Sequence, residues 1–413
     1  MWYFFIILLL TLPARFSYAG DLSLNTTLLG QARENESGAR EIPFNGYLGL
    51  GFTETKWNTS GETDMRFFHD FSQEGDDYDL YQAVLHFQPA PFLKVDFGRQ
   101  LLNEGFSATV ADGIRLKILP EGPVDMILYS GIPRTVERGD FNKNDGLLTG
   151  ISLGLKNVKG TNARMHASWR KNNIHLSDLK ENDEFLVGAD LSYQALSLPT
   201  HPFFYGLSEY DVSAKVMDTG TAGVDLYPHK RIALNLEANL FNVNRQNDRP
   251  TILGLFTRGR MWSGRVASTW TIVPDFFDFV ESYSYQNLEP QAGTRAQGHL
   301  VDSALRFSVD DIGLSVEPGY YFANSFGGTL HGARAFIHEQ FTEKFYAQAG
   351  VDFTKYTKIT TNNDVAYSTV LWSGYEIFKD LILSAEFEYN NNTFFRRDLR
   401  GAFRVDYHFN HGI

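Results

Sequence analysis

The chain has 413 residues, a formal net charge of −12 and no cysteine. Its acidic balance, without any basic cluster, argues against nucleic-acid binding. The absence of cysteine excludes disulfides, thiolate metal sites, iron–sulfur clusters and covalently attached c-type haem on this chain. Apolar residues make up 43% of the chain and aromatic residues 15%. This balance is typical of proteins whose strands face lipid on one side only.

An apolar run at positions 2–12 opens the chain and ends at Pro13. Ser17 and Ala19 then provide small residues three before and one before a potential cleavage site. This pattern predicts a secretory signal peptide at 1–19, cleaved after Ala19, and one domain at 20–413. The alternative is a membrane anchor, but a spanning helix needs roughly 20 apolar residues and this run is shorter.

The rest of the chain repeats a single pattern, in which apolar and polar residues alternate over short segments separated by turn residues. A period of two residues indicates β-strands with one apolar and one polar face. The predicted strands span residues 21–29, 45–55, 63–70, 78–88, 92–102, 112–119, 124–131, 147–155, 162–170, 185–194, 203–216, 223–227, 232–240, 251–273, 276–286, 298–308, 312–323, 329–341, 344–356, 365–377, 381–390 and 403–409.

The last two strands show the alternation most clearly. Positions 381, 383, 385, 387 and 389 are apolar and most positions between them are polar, and the return strand from Phe403 to Phe409 repeats the pattern. The sequence predicts no helical segment that would cover these apolar faces. We therefore expect lipid to cover the outside of the sheet and water to fill its inside. The sequence therefore predicts an all-β protein, a closed antiparallel up-and-down transmembrane β-barrel of about 22 strands, within a range of 16–22, without a plug domain.

Short turns alternate with longer polar connections, as in barrels with short periplasmic turns and longer external loops. One strand end, Gly98-Arg99-Gln100, is followed by a loop and the pair Asp112-Gly113. In this feature the chain resembles bacterial porin-like outer-membrane proteins. The resemblance implies a porin-like barrel in the outer membrane, with membrane lipid, lipopolysaccharide and the barrel-assembly machinery as partners, and it specifies no substrate.

The predicted width of the barrel raises the question of what narrows it. With strands about 4.8 Å apart and tilted by about 40°, 22 strands give a backbone diameter of about 44 Å, against about 32 Å for 16 strands. Inward-folding loops, a smaller strand count or a partner in the lumen would each resolve this. The loops at 132–145 and 103–111 are the alternative candidates for a constriction of the pore. Separately, the turn residues at 218–221 predict a bend in the chain between two strands.

Ionisable and amide residues at the polar positions are predicted to line the bore. Rings of charge in a pore can select solutes by sign, whereas the simpler alternative is that each charge hydrates and braces the wall through cross-strand pairs. The predicted pore-lining residues are Lys94, Asp96, Gln100, Arg164, Arg170, Asp190, Glu237, Arg265, Asp302, Arg306, Asp352, Glu386, Glu388, Arg404 and Asp406.

Two functions remain open at this point. The first is a porin-like channel for passive diffusion of small hydrophilic solutes or ions. The second is a sheath that holds a partner protein, such as a multihaem cytochrome of a trans-outer-membrane electron-transfer complex. His166 and His408 are isolated and are more simply wall residues than metal ligands. We expect no enzymatic activity, no cofactor and no bound metal.

Overall fold

The computed structural model describes residues 20–34, 39–72, 75–104, 109–134, 146–174, 181–242, 259–290, 295–325, 328–356, 365–392 and 398–412. The predicted signal peptide at 1–19 lies outside these ranges. No helix within them is long and apolar enough to cross a membrane. The one helical element among the described residues is a 3-10 turn at Asp310–Ile312.

Strands account for nearly all of the described residues. They are β1 (Gly20–Glu34), β2 (Arg40–Glu41), β3 (Pro43–Glu54), β4 (Thr59–Asp70), β5 (Gly75–Ala90), β6 (Leu93–Leu102), β7 (Thr109–Ile118), β8 (Val124–Arg134), β9 (Leu147–Val158), β10 (Thr161–Ile174), β11 (Glu181–Gln194), β12 (Phe203–Asp211), β13 (Val216–His229), β14 (Ile232–Asn242), β15 (Gly259–Val273), β16 (Phe277–Pro290), β17 (Ala296–Val309), β18 (Leu314–Ser325), β19 (Gly328–Gln340), β20 (Phe345–Tyr356), β21 (Val365–Phe378), β22 (Leu381–Asn391) and β23 (Asp398–Gly412).

The strands form one antiparallel sheet that closes on itself. Closure occurs at β1, where Leu24 lies opposite Leu50 of β3 on one side and opposite Phe409 of β23 on the other. The two-residue strand β2 only extends β1 and does not enter the wall. The wall therefore has 22 strands, as predicted, and no strand edge is left unpaired between the first and last strands.

The two rims of the barrel differ in the length of their connections. One rim carries tight turns, such as those at 91–92, 159–160, 230–231 and 379–380, and we call it the turn rim. The first strand begins and the last strand ends at this rim. Longer connections, including 135–146 and 243–258, leave the opposite rim, which we call the loop rim. In membrane barrels the short turns are periplasmic and the long loops external.

Each strand presents one apolar and one polar face, because successive side chains point to opposite sides. On β6, Phe97 is 64% exposed on the outside while its neighbour Asp96 is fully buried on the inside. We call these sides the outer face and the bore face. Exposed apolar side chains recur around the outer face and include Leu85, Ile151, Leu236, Val266, Val351, Leu371, Phe387 and Phe403.

The bend predicted at 218–221 is wrong. Strand β12 ends at Asp211 and β13 begins at Val216, so the chain turns at 212–215. The Ala214 backbone N–H donates to the Asp211 carboxylate at 2.8 Å, and Lys215 adopts a φ of +57°. An Asp side chain that closes a turn in this way outcompetes the alternation that had suggested one strand over 203–216.

Candidate functional site

The cross-strand register places all of the predicted pore-lining residues on the bore face, because directly paired residues point to the same side. Whether they contact passing solutes remains a prediction. The register sets Lys94 opposite Lys117, Asp96 opposite Arg115, Gln100 opposite Ala111, Arg164 opposite Asp190, Arg170 opposite Glu184, Glu237 opposite Arg265, Arg306 opposite Asp278, Asp302 opposite Tyr321, Asp352 opposite Arg334, Glu386 opposite Trp372, Glu388 opposite Arg400, Arg404 opposite Ser384 and Asp406 opposite Thr27.

Asp96 is the centre of a cluster of cations near the turn rim. Its carboxylate accepts a hydrogen bond from Arg115 Nε at 2.9 Å and lies 3.3 Å from Lys117 Nζ and 3.9 Å from Lys94 Nζ. His86 Nδ1 lies 2.6 Å from the same carboxylate. One buried carboxylate therefore compensates three cations from two adjacent strands, β6 and β7, and its removal would leave them to repel one another.

The loop predicted at 103–111 begins inside the bore. Strand β6 ends at Leu102, and Arg115 Nη1 donates to Glu104 Oε1 at 3.1 Å. Since Arg115 is on the bore face, Glu104 covers the wall from within, and it is only 6% exposed. This contact favours the 103–111 loop as the constriction. The remainder of that loop, 105–108, and positions 135–145 of its rival lie outside the described residues.

Charges of opposite sign occupy neighbouring parts of the bore face. Strands β6–β10 carry a basic wall, and β11–β14 carry an acidic wall and contain no Lys or Arg in their described residues. The two walls meet where β10 pairs with β11, with Arg164 opposite Asp190. The basic wall consists of Lys94, Arg115, Lys117, Lys156, Arg164 and Arg170, and the acidic wall of Glu184, Asp190, Glu209, Asp211, Asp225 and Glu237.

Several of the predicted charges form ion pairs that brace the wall, between strands or along one strand. Both terminal nitrogens of Arg334 donate to Asp302, at 2.7 and 2.9 Å. Arg404 Nε donates to Asp406 at 2.9 Å. In contrast, Arg265 and Glu386 are exposed on the bore face. Some charged side chains therefore pair and brace the wall, while others at different positions are exposed to the bore.

Sequence reasoning missed a set of tyrosines that cover glycines on the bore face. Each Tyr lies directly opposite the Gly in the register, and its ring fills the space that a side chain there would take; a Cβ on Gly374 would lie 2.3 Å from Tyr346 Cζ. Such cross-strand contacts hold aromatic rings against the wall. Only the register reveals them. The pairs are Tyr129 with Gly150, Tyr205 with Gly223, Tyr321 with Gly332 and Tyr346 with Gly374.

The segment Gly150-Ile151-Ser152-Leu153-Gly154 matches the Gly-x-Ser-x-Gly pattern of serine hydrolases, a match that sequence reasoning also missed. Ser152 lies opposite His166, whose Nε2 is 3.1 Å from the Glu209 carboxylate. However, β9 continues through Ser152 without the strand-to-helix turn that exposes such a nucleophile. Ser152 is fully buried and its Oγ accepts a hydrogen bond from Arg164 at 3.0 Å, so it is built as a wall residue.

Within the described ranges, no group of three or more His, Cys, Asp or Glu side chains is placed to hold a metal ion. His408 Nδ1 instead lies 2.9 Å from the Asn25 side-chain oxygen across the β1–β23 closure.

The residues that carry the porin-like resemblance form one local unit on β6 and β7. Gly98 lies opposite Gly113 and has a φ of +121°, a conformation that favours glycine. Arg99 Nε donates to Asp112 at 2.7 Å, and Gln100 Nε2 is 3.4 Å from the Gly113 carbonyl oxygen. Gln100 lies on the bore face, whereas alternation puts Arg99 and Asp112 on the outer face.

A closed antiparallel barrel with an apolar outer face and a charged bore face defines the class of this protein: it is an outer-membrane β-barrel. No protein-family model and no curated protein matches the sequence.

Solved structures of other barrels match the fold along nearly the whole chain. The siderophore receptor PirA from Pseudomonas aeruginosa is 12% identical, with a TM-score of 0.60 over 96% of this chain and 81% of that one. The translocation pore of the P pilus usher PapC is 8% identical, with a TM-score of 0.51 over 94% and 99%. The outer membrane protein OpdK from Pseudomonas aeruginosa is 10% identical, with a TM-score of 0.48 over 95% and 99%.

Proposed function

We propose that this barrel is a channel through which small hydrophilic solutes or ions diffuse passively across the outer membrane. The observation that carries the proposal is the bore face, where charged side chains recur around the wall and some, such as Arg265 and Glu386, are exposed. A lining of this kind keeps water in a pore and stabilises hydrated solutes. Lipid and lipopolysaccharide would contact the outer face, and the barrel-assembly machinery would insert the chain.

The charge pattern favours cations over anions. On the basic wall, Arg115 contacts both Asp96 and Glu104, and Lys156 Nζ lies 2.8 Å from Asp125. On the acidic wall, Asp190 is exposed, and its strand and the next three have no Lys or Arg among their described residues. A wall on which carboxylates outnumber cations attracts cations and repels anions within a narrow aqueous space.

Single-channel recording on the purified protein in planar bilayers tests the proposal. We expect stepwise ion currents and, under a potassium chloride gradient, a reversal potential that indicates cation preference. Asp190→Asn should reduce this preference, and Glu121→Gln, in the turn at 119–123 on the turn rim, is the matched control. Inserted barrels that pass no current would overturn the proposal. If such a barrel also co-purified with a haem protein, the sheath function would take its place.

A further inference from the structure

Three aromatic side chains lie on the bore face of the neighbouring strands β19, β20 and β21. The ring centroids of Tyr346 and Trp372 are 4.8 Å apart. The Tyr346 ring covers Gly374, and the Phe336 ring covers Gly350 on the next strand. We call Phe336, Tyr346 and Trp372 the aromatic platform. All three are only partly buried, so the bore can reach them.

An exposed carboxylate and a shallow recess border the aromatic platform. Trp372 lies opposite Glu386, and the next residue in that row is Ala402. In the row below, Gly374 is followed by Ser384. Because these neighbours have short side chains, they leave a shallow recess in the bore face beside the rings. Glu386 itself is exposed to the bore.

Another aromatic ring in this part of the wall already has a cation over its face. The guanidinium carbon of Arg334 lies 5.9 Å from the centroid of the Tyr321 ring, while its nitrogens bind Asp302. The Tyr321 hydroxyl donates to Asp352 at 2.7 Å. Here the protein's own guanidinium occupies a cation-binding site on the bore face. The site consists of an aromatic ring that covers a glycine and a carboxylate beside the ring.

The aromatic platform has the rings and the carboxylate of that arrangement without its cation. No Lys or Arg among the described residues is found over its rings. The nearest wall cations in the register are Arg400 and Arg404, each two positions from the Glu386 partner Ala402. Arg400 is held by Asp398 at 2.6 Å and Arg404 by Asp406 at 2.9 Å. Carboxylates outnumber cations around the platform, with Glu376, Glu386 and Glu388 on the bore face of β21 and β22.

We propose that the aromatic platform and Glu386 bind organic cations, meaning an ammonium or guanidinium group on an apolar or planar body, as these enter the bore. The cationic group would lie over the Tyr346 and Trp372 rings, with Glu386 as the counter-charge, and the apolar body would occupy the recess. Ring faces attract cations more strongly where water is partly displaced. The inference rests on the proposed channel function, since the ligand must reach the platform through an open bore.

Isothermal titration calorimetry of the full-length barrel in detergent, at fixed ionic strength, tests the site with benzyltrimethylammonium chloride. Sodium benzenesulfonate, a similar ring with a negative group, is the control ligand. We expect the cation to bind and the sulfonate to show no binding. Trp372→Leu and Glu386→Gln should each weaken binding by about five-fold, and Trp372→Phe, which keeps a ring, by about two-fold.

Two control variants separate the site from general effects on the barrel. Trp270→Leu removes a Trp of the outer face that is 42% exposed, and Asp278→Asn removes a bore-face carboxylate of β16 that lies opposite Arg306. Both should leave the affinity unchanged. Equal affinity in the wild type, Trp372→Leu and Glu386→Gln, or equal binding of the sulfonate, would overturn the proposal.

Current recordings distinguish failure of this inference from failure of the channel function. We expect micromolar-to-millimolar benzyltrimethylammonium to interrupt the potassium current, with shorter interruptions in Trp372→Leu. Ion current without interruption and without calorimetric binding would refute the cation site and leave the channel function intact. Calorimetric binding to a barrel that passes no current would refute the channel function and retain the site.

Discussion

Replacing Asp96 by Asn should destabilise the barrel more than the loss of any exposed bore charge. Asp96 is fully buried and contacts Arg115, Lys117, Lys94 and His86 within 3.9 Å. An amide of the same size still offers one acceptor but no negative charge, so the cations that remain repel one another. Breaking a buried ion pair by removing one partner costs about 3–5 kcal/mol, and partial access of water to the lysines places our expectation at about 3 kcal/mol.

Asp302→Asn is the matched control for this prediction. Asp302 also binds an Arg on the bore face, but its side chain is 39% exposed, so water can replace the lost contact and the expected cost is about 1 kcal/mol or less. The assay is equilibrium urea unfolding of the barrel folded into lipid vesicles, followed by tryptophan fluorescence. If Asp96→Asn and Asp302→Asn lost the same stability, the reasoning that burial makes Asp96 central would fail.

Three further changes probe the outer face, the covered glycines and the revised turn. Leu236→Arg should cost about 2–4 kcal/mol of folding free energy in vesicles because it places a charge in lipid, whereas Asn235→Arg, on the bore face, should cost well under half as much in the same assay. Gly374→Ala should destabilise by about 1–3 kcal/mol, since its Cβ would overlap the Tyr346 ring; an unchanged urea midpoint would contradict the contact. Asp211→Ala should lower stability by about 1–3 kcal/mol by removing the acceptor that closes the turn at 212–215, and Asp225→Ala, away from any turn, gives the comparison for loss of an acidic-wall carboxylate.

The alternation of residues predicted most of the barrel because lipid imposes a strict rule on every strand. An apolar residue at every second position, as at Leu381 and Phe387, must face lipid, so strand number and the direction of each side chain follow from the sequence. The turn at 212–215 escaped because a single side-chain hydrogen bond from Asp211 decides it. Local turn chemistry of this kind is weaker in the sequence than ten residues of alternation.

Which residues share the bore face was predictable, but which of them meet was not. The alternation of faces along each strand also assigns Arg115, Lys117 and Arg334 to the bore face, although the predicted pore-lining set does not contain them. The contact of Arg334 with Asp302 spans two strands and depends on the register, which the sequence does not specify on its own. The same holds for the aromatic platform, since Phe336, Tyr346 and Trp372 come from three strands.

The absence of cysteine from the chain permits one direct test of the central claim that the bore face meets water and the outer face meets lipid. Glu386→Cys and Phe387→Cys place a single thiol on adjacent residues of β22 that point to opposite faces, and a charged, membrane-impermeant thiosulfonate is added to each barrel in a planar bilayer. We expect Glu386→Cys to react within seconds to minutes, with a fall in its current, and Phe387→Cys to show no change. Equal reaction at both positions, or reaction at Phe387→Cys alone, would contradict the central claim.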